Sequence, residues 1–228
     1  MSRFVLVHGS GQNASCWDRV RAELAARGHA SVAPELPKAA GLGLADFADV
    51  IASSFEEPDA VLVAHSLCGV FLPLVAERRT CRCLVYLAAV IPQPGASVRE
   101  QFTAEPAMFE PSWIAAGSRW ADPAQRESLA REFLFHDGAP EALAWSLAGL
   151  EVIDSRAIIT EPAPYTALPS IRAAAIVAAQ DRTLSAAWCA ARARRALGVE
   201  PIVIPTGHCP QNVQPAALAE LLVAVAAG

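Results

Sequence analysis

The chain has 228 residues, of which 54% are apolar and 18% charged, with a formal net charge of −5. This composition excludes a disordered chain, and the length is enough for one sizeable core. The acidic balance argues against nucleic acid or an anionic membrane as a partner.

In chain order, short apolar runs alternate with helical patterns. Residues 3–9 (RFVLVHG) predict a strand, and 15–28 predict a helix closed by Gly28. A second strand is expected at 29–36, a helix at 44–55 and a third strand at 59–66 (DAVLVAHS). A helix follows from 67 to about 78, with a bend expected at Pro73, and then a fourth strand at 81–90. There the rhythm stops. Residues 92–165 are rich in proline, aromatics and short helical pieces, and are expected to form a helical cap over one end of the sheet. Alternation resumes with a strand at 173–181, a helix at 185–198, a strand at 200–208 and a closing helix at 215–227.

Strands that are apolar throughout, each followed by a helix, imply the doubly wound α/β class. The expected sheet is mainly parallel, has about six strands and is covered on both faces. The expected core is 1–91 with 166–228, and 92–165 is the inserted cap. The alanine-rich C-terminal stretch is too short to span a bilayer and carries Glu220. The first apolar run is too short for an export signal, so the six cysteines are expected as reduced thiols in a cytoplasm. Cys81 and Cys83 form a C-x-C with no second pair at metal spacing, so no metal and no cofactor are expected.

In sheets of this class, ligands bind beyond the carboxyl ends of the strands. Ser66 stands there, between a buried strand and an immediate helix, in the pattern Ala64-His65-Ser66-Leu67-Cys68-Gly69. A serine at so tight a turn, with small residues two positions away on each side, is a nucleophile elbow. The competing use is a helix N-cap. A hydroxyl needs a base, and His208, in a loop after the last strand with Gly207 to loosen the chain, can reach across the rim. His8 and His65 sit too close to the backbone turns to swing. The base needs an orienting carboxylate. Asp181 ends a strand on the same edge, whereas its rivals Asp122, Asp137 and Asp154 lie in the cap. Gly9 permits an unusual turn that exposes the Ser10 N–H, which with the Leu67 N–H could hold an oxyanion.

These segments, FVLVHGSGQNASCWDRV, VLVAHSLCG, AAQDRTLS and PTGHCPQNVQPAALAELL, resemble the α/β-hydrolase superfamily. The likeness is to its branch of plant methylesterases, hydroxynitrile lyases and small bacterial hydrolases, and it covers nearly the whole chain outside the cap. It implies Ser66 as nucleophile, His208 as base, Asp181 as acid, and backbone Ser10 and Leu67 as the oxyanion hole. The usual elbow of that branch reads G-H-S-L-G-G; Ala64 and Cys68 replace two of its glycines. Its lyases carry a threonine and a lysine where this chain has Gly9 and Cys209, which argues against lyase chemistry. Cys68 is expected to point back toward the flanking strand as a small apolar side chain.

The cap aromatics Trp113, Trp120, Phe109 and Trp145 are expected to roof the pocket. The implied partner is therefore a small apolar ester, thioester or lactone, with a homodimer left open. Two other readings remain at this stage: C–C bond hydrolysis or cyclisation by the same residues, and a ligand-binding protein with a slow triad.

Overall fold

The computed structural model describes residues 1–228. Six parallel strands form one sheet in the order β2-β1-β3-β4-β5-β6. They are β1 (Arg3–Val7), β2 (Ala30–Val32), β3 (Ala60–Ser66), β4 (Cys81–Ala89), β5 (Ala173–Ala178) and β6 (Ile202–Ile204). The helices are α1 (Asp18–Ala26), α2 (Leu44–Ser53), α3 (Phe71–Arg78), α4 (Val98–Ala104), α5 (Pro111–Ala116), α6 (Pro123–Leu129), α7 (Pro140–Ala148), α8 (Arg156–Thr160), α9 (Ala186–Arg192), α10 (Pro210–Val213) and α11 (Pro215–Ala227). Helices α4 to α8 all lie between β4 and β5, in the segment read as a cap. No helix is long and apolar enough to cross a membrane.

Alternate residues of each central strand feed opposite faces, as the strand period of two requires. Phe4, Leu6, Val61, Val63, Val85 and Leu87 pack with Val20 and Leu24 of α1 and with Leu218 and Leu222 of α11. Val5, Val7, Leu62, Ala64, Leu84 and Tyr86 pack on the other face with Phe47 and Ile51 of α2, Leu74 of α3 and Trp188 of α9. Each large apolar side chain so buried contributes roughly 1.5–3 kcal/mol. Burial on both faces explains why these strands read as continuous apolar runs.

Both edge strands are shorter than their apolar runs suggest, three residues each. Pro73 falls in the first turn of α3, where its missing N–H forfeits no intrahelical bond. The helix type changes just before it: Leu67–Val70 is a 3₁₀ turn and α3 starts at Phe71. Helix α9 runs into a π-helical turn, Ala193–Leu197, closed by Gly198 in the left-handed region at φ 68°.

Candidate active site

Chain order reverses direction at β1, which lies between β2 and β3. Gly9 and Ser10 follow β1 and Ser66 ends β3, so they flank the crevice where such sheets bind ligands. Ser66 holds φ 60° and ψ −135°, a conformation costly for a residue with a side chain. Its surroundings fix it there. The β3–β4 ladder pairs His65 with Leu87 and Ser66 with Ala89, bulging out Ala88, itself at φ 40°. The Val90 N–H donates to the Ser66 carbonyl at 3.0 Å.

Glycine is needed here for space. A Cβ on Gly9 would stand 2.7 Å from His65 Nδ1 and 3.1 Å from Ser66 Cβ. Gly9 has no positive φ, so the unusual turn expected of it is replaced by a close approach between the ends of β1 and β3. A Cβ on Gly69 would lie 2.2 Å from the Val90 carbonyl oxygen.

His208 Nε2 lies 2.9 Å from Ser66 Oγ, and its Nδ1 lies 2.7 Å from Asp181 Oδ2. The Nδ1–H donates to the carboxylate, which fixes the tautomer and leaves Nε2 free to accept from the serine. Both the imidazole and the carboxylate are about 97–98% shielded from solvent, at 3% and 2% side-chain exposure. Asp181 is fixed by its other oxygen, which accepts from the backbone N–H of Thr183 at 2.7 Å and of Leu184 at 3.1 Å. The Thr183 hydroxyl donates to the same oxygen at 2.9 Å and accepts from His208 Nδ1 at 2.8 Å. Sequence reasoning missed Thr183; its only signal was the Asp-x-Thr spacing of an Asx turn.

The three rival carboxylates are engaged elsewhere. Asp154 pairs with Arg156, and Asp122 caps α6. Asp137 accepts from the Gly207 N–H at 2.6 Å. A Cβ on Gly207 would sit 2.6 Å from Asp137 Oδ1, so this glycine lets the segment between β4 and β5 clamp the histidine loop and does not loosen it.

Behind His208 runs a directed chain of buried polar groups. His65 Nε2–H donates to the His208 carbonyl at 2.8 Å, and its Nδ1 accepts from the Gln211 amide at 3.3 Å. The same amide donates to Gln12, Gln12 donates to Asn212, and Asn212 donates to Ser146 on α7, at 2.9, 2.9 and 3.0 Å. Burial holds the His65 imidazole well below the ordinary range, and His208 nearby pushes the same way, so His65 stays neutral. A neutral His65 adds no charge against an imidazolium forming on His208, whose ring lies 4.7 Å away.

A cavity of about 570 Å³ opens over Ser66 and His208. Ser10 and Leu67 line it, and the Ser10 N–H has no hydrogen-bond partner within the protein. Phe109, Trp113 and Trp120 form part of its wall. Trp145 does not. The inward face of α7 is set by Ala142 and Ser146, which turns Trp145 aside to lie 4.5 Å under the Arg19 guanidinium. Cys68 is fully buried outside the cavity, and burial pushes its thiol far up, away from the thiolate a nucleophile needs. Chemically, the arrangement offers a hydroxyl with a base behind it, facing an apolar space and one free backbone donor.

A family model described as "Alpha/beta hydrolase family" matches residues 4–221. The chain is 36% identical to a probable esterase, PIR7A, of Oryza sativa subsp. indica, in an alignment covering 40% of this chain and 40% of that protein. The aligned part is thus less than half of that relative's length. Among solved structures, a pyrethroid hydrolase from Sphingobium faniae JZ-2 superposes with a TM-score of 0.75 at 21% identity, covering 100% of this chain and 98% of that one. The methylesterase MES16 from Arabidopsis superposes with a TM-score of 0.72 at 19% identity, covering 100% and 99%. These two structural likenesses are likenesses of fold.

Proposed function

The chain belongs to the alpha/beta hydrolase family, and from that premise we propose that it hydrolyses carboxylic esters of small, largely apolar substrates through an acyl-enzyme on Ser66. One observation carries the reading: the Ser66–His208–Asp181 hydrogen-bond chain, at 2.9 and 2.7 Å, opens into an apolar cavity of about 570 Å³. The esterase and methylesterase names of similar proteins agree with it.

Ser66 Oγ attacks the ester carbonyl while His208 Nε2 takes the hydroxyl proton. The oxygen that gains charge is held by the N–H groups of Ser10 and Leu67, the second being the first residue of the 3₁₀ turn after the elbow. The C–O bond to the alcohol breaks as His208 returns the proton to the leaving oxygen. Water, giving its proton to His208, then attacks the acyl carbonyl; the bond to Ser66 Oγ breaks as His208 returns that proton to it, and the acid leaves. Loss of one oxyanion donor typically raises such a barrier by about 3 kcal/mol.

The test is turnover of p-nitrophenyl esters of short and medium acids. Wild type should release nitrophenolate with a burst, and Ser66→Ala should lose about 10⁴-fold or more in kcat. Turnover that survives Ser66→Ala but dies in His208→Ala would remove the acyl-enzyme.

A further inference from the structure

Of the 18 Lys and Arg side chains, Arg99 alone has no hydrogen bond, ion pair or aromatic partner. Arg99 is also the only one of these cations that lines the cavity over Ser66. It stands on α4, one turn from Phe102 and Thr103 in the same wall, and it is solvent-exposed, which puts it at the mouth. No aspartate or glutamate lines the cavity.

The nearby carboxylates are already committed. Glu100 closes the capping box of α4 by accepting from Ser97. Asp154, one residue before the cavity-lining Ser155, is held by the Arg156 guanidinium through both of its oxygens. On a protein of net charge −5, where acidic side chains outnumber basic ones, an arginine that pairs with none of them can meet an external anion. Its planar fork suits a carboxylate.

Resting on the ester-hydrolase reading above, we propose that Arg99 makes the site select esters whose apolar arm ends in a carboxylate, such as half-esters of dicarboxylic acids. The body of the substrate fills the aromatic cavity, the ester carbonyl meets Ser66, and the anionic end stays at the wet mouth on Arg99. There the charge keeps most of its hydration, so the contact acts on substrate choice and encounter more than on the chemical step.

The experiment compares p-nitrophenyl half-esters of dicarboxylic acids with neutral p-nitrophenyl esters of matched chain length. Wild type should show a KM for the best half-ester about fivefold below that of its neutral match, with similar kcat, the scale of one exposed ion pair. In Arg99→Gln that ratio should fall to about one. In Arg99→Lys it should return in part, and in Arg99→Glu it should invert. The wild-type preference should also weaken as salt is added, and Arg99→Gln should show no such dependence. No preference in wild type at any chain length, or an equal loss on both substrates in Arg99→Gln, overturns the assignment and leaves the arginine stem as mere cover for Phe102. Calorimetric binding of the same pairs to Ser66→Ala reads Arg99 without turnover. Charge-selective binding with no ester turned over by wild type would defeat the hydrolase reading alone.

Discussion

At the scale of single residues, the sharpest constraint lies three positions past the nucleophile candidate. A side chain at Gly69 would meet the Val90 carbonyl oxygen at 2.2 Å and Ala89 Cβ at 3.2 Å, both in or just after β4. Backbone cannot yield there as a flexible side chain could. Gly69→Ala should therefore destabilise the fold by about 1–3 kcal/mol or more, read as a lower urea midpoint. It should also lower kcat, because the displaced strand carries the bulge that holds Ser66 in its strained φ. A variant with unchanged midpoint and rate would show that the elbow tolerates what its packing forbids. The sequence directed attention to Ala64 and Cys68, where the usual pattern has glycine. Both are fully buried and are accommodated. The tight spot escaped because it depends on the β3–β4 register and its bulge at Ala88, which no single strand's residues announce. Ser66, His208 and Asp181 were legible because chain order and strand ends suffice to nominate them. Thr183 and Arg99 were not, since each matters through what its side chain meets, or fails to meet, in space.

At the scale of elements, the histidine loop is held less by its own sequence than by four neighbours. Its backbone rests on His65 from β3 and on Asp137 from the segment between β4 and β5, while Gln211 and Asn212 lock it to Gln12 after β1 and to Ser146 on α7. His65→Leu keeps the approximate volume but removes the donor to the His208 carbonyl and leaves Gln211 short of an acceptor. The expected result is a kcat lower by about 10–100-fold with a smaller change in KM, because a displacement of the base on the order of 1 Å is enough. His65→Gln, which keeps a donor, should recover part of that loss. Equal losses in the two variants would make His65 a packing residue only. The strands that carry this geometry were legible where they are central, since burial on both faces writes an unbroken apolar run. The edges were overread: residues 29–36 and 200–208 yield only Ala30–Val32 and Ile202–Ile204. An edge strand has a partner on one side only, and apolarity does not say where pairing ends. β5, although paired on both sides, also ends before its apolar run does, at Ala178, which leaves Asp181 in a loop where backbone N–H groups can fix it.

At the scale of the whole molecule, buried titratable groups set a window of pH over which the fold is stable. His8 and His65 are both buried, and each uses one ring nitrogen to accept a hydrogen bond, from the Leu36 N–H and from Gln211. Protonation would break those bonds and bury a charge. Desolvation accordingly lowers both from the ordinary 6.5, His65 well below it, while for His8 the Gly9 carbonyl and Glu35 oppose part of the effect. A depressed folded value means that the unfolded chain binds more protons as the pH falls below 6.5, so stability present above that value is lost on the acid side. A proton that the unfolded chain binds there and the folded His65 does not is drawn against a total stability of only roughly 5–15 kcal/mol. On the alkaline side all six thiols are buried, and desolvation raises them, Cys81 to about 11 and the others likewise upward from 9.0. Raised folded values keep the native thiols protonated while the unfolded chain ionises, so stability falls as the pH rises above 9.0. The lowered carboxylates Glu100, Asp122, Glu151 and Asp154 are solvent-accessible and do not define the acid limb. Urea midpoints should thus hold between about pH 7 and 9 and begin to fall near pH 6, well before the carboxylate range near pH 4. His65→Gln, which cannot take up a proton in either state, should make the acid limb shallower. Midpoints that stay level from pH 7.5 down to about 4.5 would mean that the imidazoles gain protons in the native state, against the hydrogen bonds that hold them neutral.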